Sequence, residues 1–322
     1  MLPSTIKNPR DGEFDDDTVV IVTSSNGETA YDIATPDELL HKFITNSNPE
    51  GNSYRYKNGA HRFIGPNPNN WIEFGSIGGT PVMWRIIKKD DEGIQLIYEG
   101  LKNGASAPTD NGRIQIAGSW TTAWDTSSSN KWERPATLKA LLQDWYNTLT
   151  INNDLVNPIN WCLGGSGQGI NYSTDYVPTE HYLQTECIDG TYSGGAFLGK
   201  TNEKLAYGLI RVSDYISASD HPDCFGSYFT GEGSTEVDNG RRCGREVNEA
   251  GRTNYLWKPA YWYWTYTARA PSSTSVWSVS SAAMSTHSAS YSAGSVRPII
   301  NLKSDILYDS GEGTLANPYK VQ

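Results

Sequence analysis

The sequence predicts an α+β fold of antiparallel sheets with two helices and long loops. Three observations carry that expectation. Residues 71–100 and 261–302 hold short runs rich in β-branched and aromatic residues, broken by Gly and by charged turns. Only two windows place apolar residues at helical spacing. Between 152 and 253 regular periodicity fades, in a chain of 322 residues with 31 Gly and 16 Pro.

Thr18–Thr23 is a short β candidate that follows the acidic run Asp15–Asp17. Thr35 then opens the first helix. Its hydroxyl can cap, Pro36 suits the first helical position, and Asp37 and Glu38 favour the positive helix end. Leu39, Leu40 and Phe43 give this helix an apolar face, and it should stop near Asn46. Strands are expected at Trp71–Phe74, Pro81–Ile87 and Gly93–Tyr98, with a turn-rich break at Gly75–Gly79 and a charged turn at Lys88–Glu92. The second helix covers Pro135–Leu149, where Leu138, Leu141, Leu142 and Trp145 recur at helical spacing. Leu205–Val212 is a strand candidate inside the loop-rich middle. Tyr261–Tyr266, Val276–Met284 and Val296–Leu302 read as the closing strands. No internal repeat of fixed period is present. Residues 1–60 are expected to form a small N-terminal subdomain, a strand plus a helix, ahead of a main domain at 61–322.

Composition narrows the function classes. Lys and Arg total 26 against 36 Asp and Glu, a net charge of −10, which argues against non-specific nucleic-acid binding. Aromatics make up 11% of the chain, which argues for a folded protein. No apolar run approaches the ~18–20 residues of a membrane span. Met1–Arg10 is polar and Pro-broken and lacks the apolar core of a signal peptide. Either a cytosolic protein or a chain numbered after a removed leader is compatible with that start. Cys162, Cys187, Cys224 and Cys243 show no C-x-x-C spacing and lie in Gly/Ser/Asn/Asp-rich sequence. Pairing Cys162 with Cys187 and Cys224 with Cys243 is favoured, among three arrangements and the alternative of four thiols. Disulfides would imply an oxidising, extracellular compartment.

Searches for catalytic motifs are negative. There is no H-E-x-x-H helix and no P-loop. Gly164–Gly169 resembles a phosphate loop only in composition, and Gln168 breaks the nucleophile-elbow pattern. The histidines at 41, 61, 181, 221 and 287 are scattered. His221 precedes Cys224 by three residues, a spacing conceivable for a Cys/His site but better explained by a loop histidine beside a structural cysteine. Glu232–Asp238 offers oxygen donors of the kind calcium favours but matches no EF-hand spacing. No catalytic residue, metal ligand or cofactor is assigned.

Residues 261–293 are more informative. Tyr261, Trp262, Tyr263, Trp264, Tyr266, Trp277, His287 and Tyr291 alternate with many Ser, Thr and Ala. Alternation would bury Trp264 and Trp277 and turn Tyr263 outward. Exposed Tyr with Ser and small residues makes a good contact surface, because Tyr gives area at low entropy cost.

Tyr263–Thr267, the Ser-rich strands and Gly294–Leu302 together resemble the C-terminal half of C-type-lectin-like domains. The version resembled is that of formylglycine-generating-enzyme-like domains and of the variable proteins of diversity-generating retroelements. Phe74–Ile87, Gly208–Ser219, Asn254–Trp257 and Gly311–Tyr319 are similar to a related group of Firmicutes-type surface proteins. The resemblance covers roughly 70–322 and implies a C-type-lectin-like fold with a ligand surface near the C-terminus. Carried over, its diversified positions fall on Tyr261, Tyr263, Tyr266, Ala268, Arg269, Ser272, Ser273, Ser278, Ser280, His287 and Tyr291. Val296, Arg297 and Pro298 would be scaffold; the alternative for Arg297, favoured here, is that it simply pairs with a carboxylate beneath the sheet. Residues 258–322 contain no cysteine, so the reactive pair of the enzyme branch is missing. The Glu-Pro-Asn and Gln-Pro-Asp calcium motifs of animal lectins are also absent.

The expected function is therefore a non-enzymatic, extracellular or cell-surface binding protein for a protein or glycan ligand. Its N-terminal segment is a candidate attachment to a larger surface assembly. The alternatives are an enzyme acting on polysaccharide or peptide, and a structural pilus-tip or phage-tail subunit.

Overall fold

The computed structural model describes residues 19–25, 28–34, 54–57, 60–90, 92–116, 118–130, 132, 137–163, 190–191, 197–198, 200–219, 254–258, 260–268, 273–280 and 283–321. In chain order β1 (Val19–Ser25) and β2 (Glu28–Ala34) form a hairpin. They are followed by β3 (Tyr54–Lys57), β4 (Ala60–Phe63), β5 (Trp71–Ile77), β6 (Thr80–Asp90) and β7 (Gly93–Leu101). Helix α1 (Thr137–Tyr146) comes next, then β8 (Gly190–Thr191), β9 (Phe197–Leu198), β10 (Tyr207–Leu209) and the short α2 (Val212–Ser217). The chain closes with β11 (Tyr263–Ala268), β12 (Ser275–Ser280), β13 (Ala283–Ser288), β14 (Pro298–Leu302), β15 (Tyr308–Ser310) and β16 (Lys320–Val321).

The β6–β7 hairpin organises the molecule. It sits inside a seven-stranded antiparallel sheet of order β10-β14-β7-β6-β4-β3, with β5 also paired to β6. Both strands are buried on both faces over most of their length, so their apolar residues run nearly continuously instead of alternating. The β5–β6 turn is Gly78–Gly79, with φ of +58° and +82° at the two central positions, a conformation that glycine adopts without strain. β3 lies on the N-terminal side of residue 60, yet it pairs with β4 in this same sheet.

Helix α1 lays Leu138, Leu142 and Trp145 against the sheet. Trp145 meets Trp84 and Tyr98 edge-on, with ring centroids 6.2 and 5.6 Å away. Such aromatic pairs add about 0.5–1.5 kcal/mol beyond the area they bury. Among the largest fully buried side chains are Trp84, Trp124, Trp132 and Trp264. A separate sheet, β11-β12-β13, carries the aromatic and Ser-rich segment.

This architecture corrects the expected fold class. The described residues are mostly β, in antiparallel sheets, and do not form the expected α+β arrangement with two helices. Among the described residues α1 is the one helix longer than two turns. The helix expected from Thr35 to Asn46 lies outside the described residues. Two further elements differ. The Val276–Met284 run forms two strands, because β12 ends at Ser280 and a hairpin returns as β13. Leu205–Val212 stays extended only over Tyr207–Leu209, and a short helix starts at Val212. Asp214 explains that start: its carboxylate accepts from the Arg211 backbone N–H at 3.1 Å, half of a capping box. The Thr267 hydroxyl accepts from the Val212 N–H at 3.0 Å.

Asp214 also anchors the sheet edge. It accepts from Arg62 Nη1 at 3.0 Å and from Arg211 Nε at 3.0 Å, and all three side chains are buried. Burial alone would raise its pKa. Arg211 and then Arg62 override that and hold the carboxyl well below the usual carboxylate range.

Candidate functional site

Strand β11 is where the expected contact surface was placed, and its burial corrects that expectation. Tyr263 is 0% exposed, Tyr266 1% and Ala268 2%. Ser278 on β12 is also fully buried. The reason is that β11 is covered on both faces. The Tyr263 hydroxyl donates to the Leu256 carbonyl at 2.8 Å, while Tyr266 packs edge-on against Trp132 at 4.7 Å. Trp264, on the alternate face, donates from Nε1 to the Thr122 carbonyl at 2.9 Å. Tyr261 is half-buried, and its hydroxyl donates to the Asn111 carbonyl at 2.6 Å. Ser273 is exposed. Arg269, Ser272 and the side chain of Ser280 lie outside the described residues.

His287 and Tyr291 remain at the surface, and Trp262 joins them. Trp264 pairs with Ser278, and Ser278 pairs with Ser285. Period-2 alternation therefore puts His287, two residues past Ser285, on the same face as Trp264 and Trp262. The Trp262 and His287 rings stack at 4.3 Å and 21°, and His287 stacks with Tyr291 at 5.6 Å and 19°. The Trp262 and Tyr291 planes are 2° apart at 5.7 Å. Trp262 is braced from below by Trp264, edge-on at 4.8 Å. Tyr291 is 50% exposed and is the one exposed large hydrophobic among the described residues. Partial burial pushes the His287 pKa down, so the imidazole is neutral near pH 7 and stacks without a charge to desolvate. The hydroxyls of Ser288 and Ser290 lie beside this shelf in sequence, 3.0 Å from each other. Trp262 is part of this ring shelf although it is not among the positions expected from the sequence. Its adjacency to a buried β strand hid the fact that it precedes the strand's first residue.

A charged cluster lies under the segment that leads into β11. Glu99 on β7 accepts from Lys258 Nζ at 2.6 Å and from Arg297 Nη2. Arg297 is fully buried and also donates to the Leu256 carbonyl at 3.1 Å. It thus pairs with a carboxylate, as expected. Arg85 is a third cation. It lies between the rings of Trp71 and Tyr255 at 4.4 and 4.8 Å, and donates to Asn70 Oδ1 and to the Pro68 carbonyl. Burial pushes Arg85 down to about 10 and Lys258 down to about 8, in both cases against the pull of Glu99. A pocket of about 310 Å³ opens here, lined by Arg85, Asn111, Asn254, Tyr255, Trp257 and Lys258 among others.

A larger cleft of about 540 Å³ lies between α1 and β7. Tyr98, Asp110, Trp120, Asp144 and Trp145 are in its wall. Asp110 accepts from the Tyr98 hydroxyl at 3.0 Å. Asp110 and Asn111 both hold left-handed backbone, with φ of 62° and 48°. Such strain costs of order 1–3 kcal/mol per residue and persists only where surrounding contacts impose it.

Cys162 is disulfide-bonded, and Cys187, Cys224 and Cys243 lie outside the described residues, as do His221, Gly164–Gly169 and the acidic stretch 232–238. Among the described residues no group of His, Cys, Asp and Glu is placed to hold a metal ion. No described helix is long and apolar enough to cross a membrane. No known protein family, curated protein or solved structure matches the chain.

Proposed function

We propose that the chain is a binding protein that holds its ligand on the Trp262–His287–Tyr291 shelf. The observation that carries this reading is the half-exposed ring of Tyr291, held parallel to two further rings. An exposed aromatic platform with neighbouring hydroxyls suits the apolar face of a sugar ring, and a glycan is the ligand class favoured here. Tyr and Trp supply contact area at low entropy cost. The disulfide at Cys162 supports an oxidising compartment and hence an extracellular or cell-surface location. The test is an immobilised-glycan array probed with the wild-type chain and with Tyr291→Ala. Wild-type binding that falls about tenfold or more in the variant, about 1.4 kcal/mol, supports the reading. Equal binding by both proteins, or none by either, contradicts it.

A second reading, hydrolysis of a polysaccharide, is favoured by one observation. Asp110 and Asp144 line the same cleft, and glycoside hydrolysis needs two carboxylates flanking the bond. Release of reducing ends from a polysaccharide panel, abolished by Asp110→Asn and by Asp144→Asn, is its signature. Absence of any release dismisses it.

A further inference from the structure

Among the described residues, the charges beside the pocket of Arg85 and Lys258 do not balance. Buried charges are normally paired, because an isolated one pays a large desolvation cost. Arg85, Lys258 and Arg297 contribute three positive charges, and Glu99 contributes one negative charge. Both Glu99 oxygens are already engaged, one by Lys258 and one by Arg297. Arg85 is 5% exposed, and its acceptors are an amide oxygen and a backbone carbonyl, neither of them charged. Its Nη1 makes no hydrogen bond to the described residues. Lys258 Nζ spends one of its three protons on Glu99.

The setting is built for recognition in two other respects. The guanidinium of Arg85 is fixed in orientation by the rings on either side and by two hydrogen bonds, so little side-chain entropy remains to be lost on binding. The pocket of about 310 Å³ is at the lower end of small-molecule sites, and its wall combines Tyr255 and Trp257 with the exposed residue Asn111.

We propose that this pocket binds a carboxylate-bearing monosaccharide, with one carboxylate oxygen on Arg85 Nη1 and the other on Lys258 Nζ. A carboxylate has two acceptor oxygens to offer two separate cations, and its single charge reduces the excess of two. The remaining volume takes a sugar ring against the aromatic wall. None of the lining residues belongs to the Trp262–His287–Tyr291 shelf, so this site stands or falls independently of it.

The experiment is a calorimetric titration of the intact chain with glucuronate, glucose and inorganic sulfate, each at constant ionic strength. Two variants accompany the wild type. Lys258→Gln removes a cation but touches Glu99 and can lower stability. Ala260→Phe fills the pocket from an exposed lining position and leaves every charged partner in place. Thermal melts establish that each variant is folded before titration. The expected result is 1:1 binding of glucuronate, at least about tenfold weaker binding of glucose and of sulfate, and loss of glucuronate binding in the folded Ala260→Phe protein. Three outcomes overturn the proposal: no glucuronate binding by the wild type, glucose or sulfate binding as tightly as glucuronate, or unchanged glucuronate binding by Ala260→Phe.

Discussion

The rings of Trp262 and Tyr291 lie 5.7 Å apart and within 2° of parallel, although they are 29 positions apart in the chain and the strands β11, β12 and β13 lie between them. His287 stacks on both. The three rings meet because β13 returns beside β12 and the turn after Ser288 brings Tyr291 back over the sheet.

Stability should divide the aromatic segment sharply. Tyr291→Ala removes a half-exposed ring and is expected to cost less than about 1 kcal/mol, in line with surface substitutions. Tyr266→Ala empties a fully buried site against Trp132 and should cost about 3–5 kcal/mol, as large-to-small core changes do. Urea unfolding of the two variants beside the wild type measures the contrast.

Glu99 should be among the most sensitive single positions. Glu99→Ala leaves Lys258 and Arg297 without their carboxylate inside the protein. Stranding a buried charge costs about 3–5 kcal/mol. Burial raises the Glu99 pKa, but Lys258, Arg297 and Arg85 more than reverse that and hold it low. Equilibrium denaturation at pH 7 should show the loss, and Glu99→Gln should recover only part of it.

Asp214 sets an acid limit. Its folded pKa is depressed, so its stabilising contribution is present above the ordinary carboxylate pKa near 4 and is lost as pH falls below that value toward the folded one. Denaturation curves between pH 2 and 7 should show the wild type weakening below about pH 4. Asp214→Asn should start about 3–5 kcal/mol less stable at pH 7 and have a flatter acid limb.

Gly294 should refuse even a methyl group. A Cβ built there runs into the indoles of Trp264 and Trp262. Trp264 is fully buried and pinned by its bond to Thr122, so it cannot swing aside. Gly294→Ala is expected to cost about 1–3 kcal/mol through overpacking, read as a lower melting temperature.

The strands were legible where local pattern decides the outcome. Pro81–Ile87 and Gly93–Tyr98 are apolar, β-branched and separated by a charged turn, and they form the central hairpin. Leu138, Leu142 and Trp145 marked α1 because its one buried face is set by the chain itself. The helix at Val212 escaped notice because it depends on Asp214 and on the distant Thr267 as caps. The ring shelf was legible only in part. Alternation assigns one face of β11 to solvent, but tertiary packing covers both, which buries Tyr263 and Tyr266 and leaves the ring shelf to Trp262, His287 and Tyr291. The charge cluster was invisible beyond Arg297, since Arg85, Glu99 and Lys258 meet only through sheet pairing and the return of a loop.

The most direct test of the shelf as the ligand surface is an NMR titration of the side-chain ring resonances with the tightest-binding glycan from the array. The expected result is saturable shifts at His287, Tyr291 and the Trp262 indole, abolished by Tyr291→Ala in a protein that remains folded. Shifts confined to Trp120 and Trp145 in the cleft, or to Tyr255 and Trp257 in the charged pocket, with His287 and Tyr291 unmoved, would contradict it.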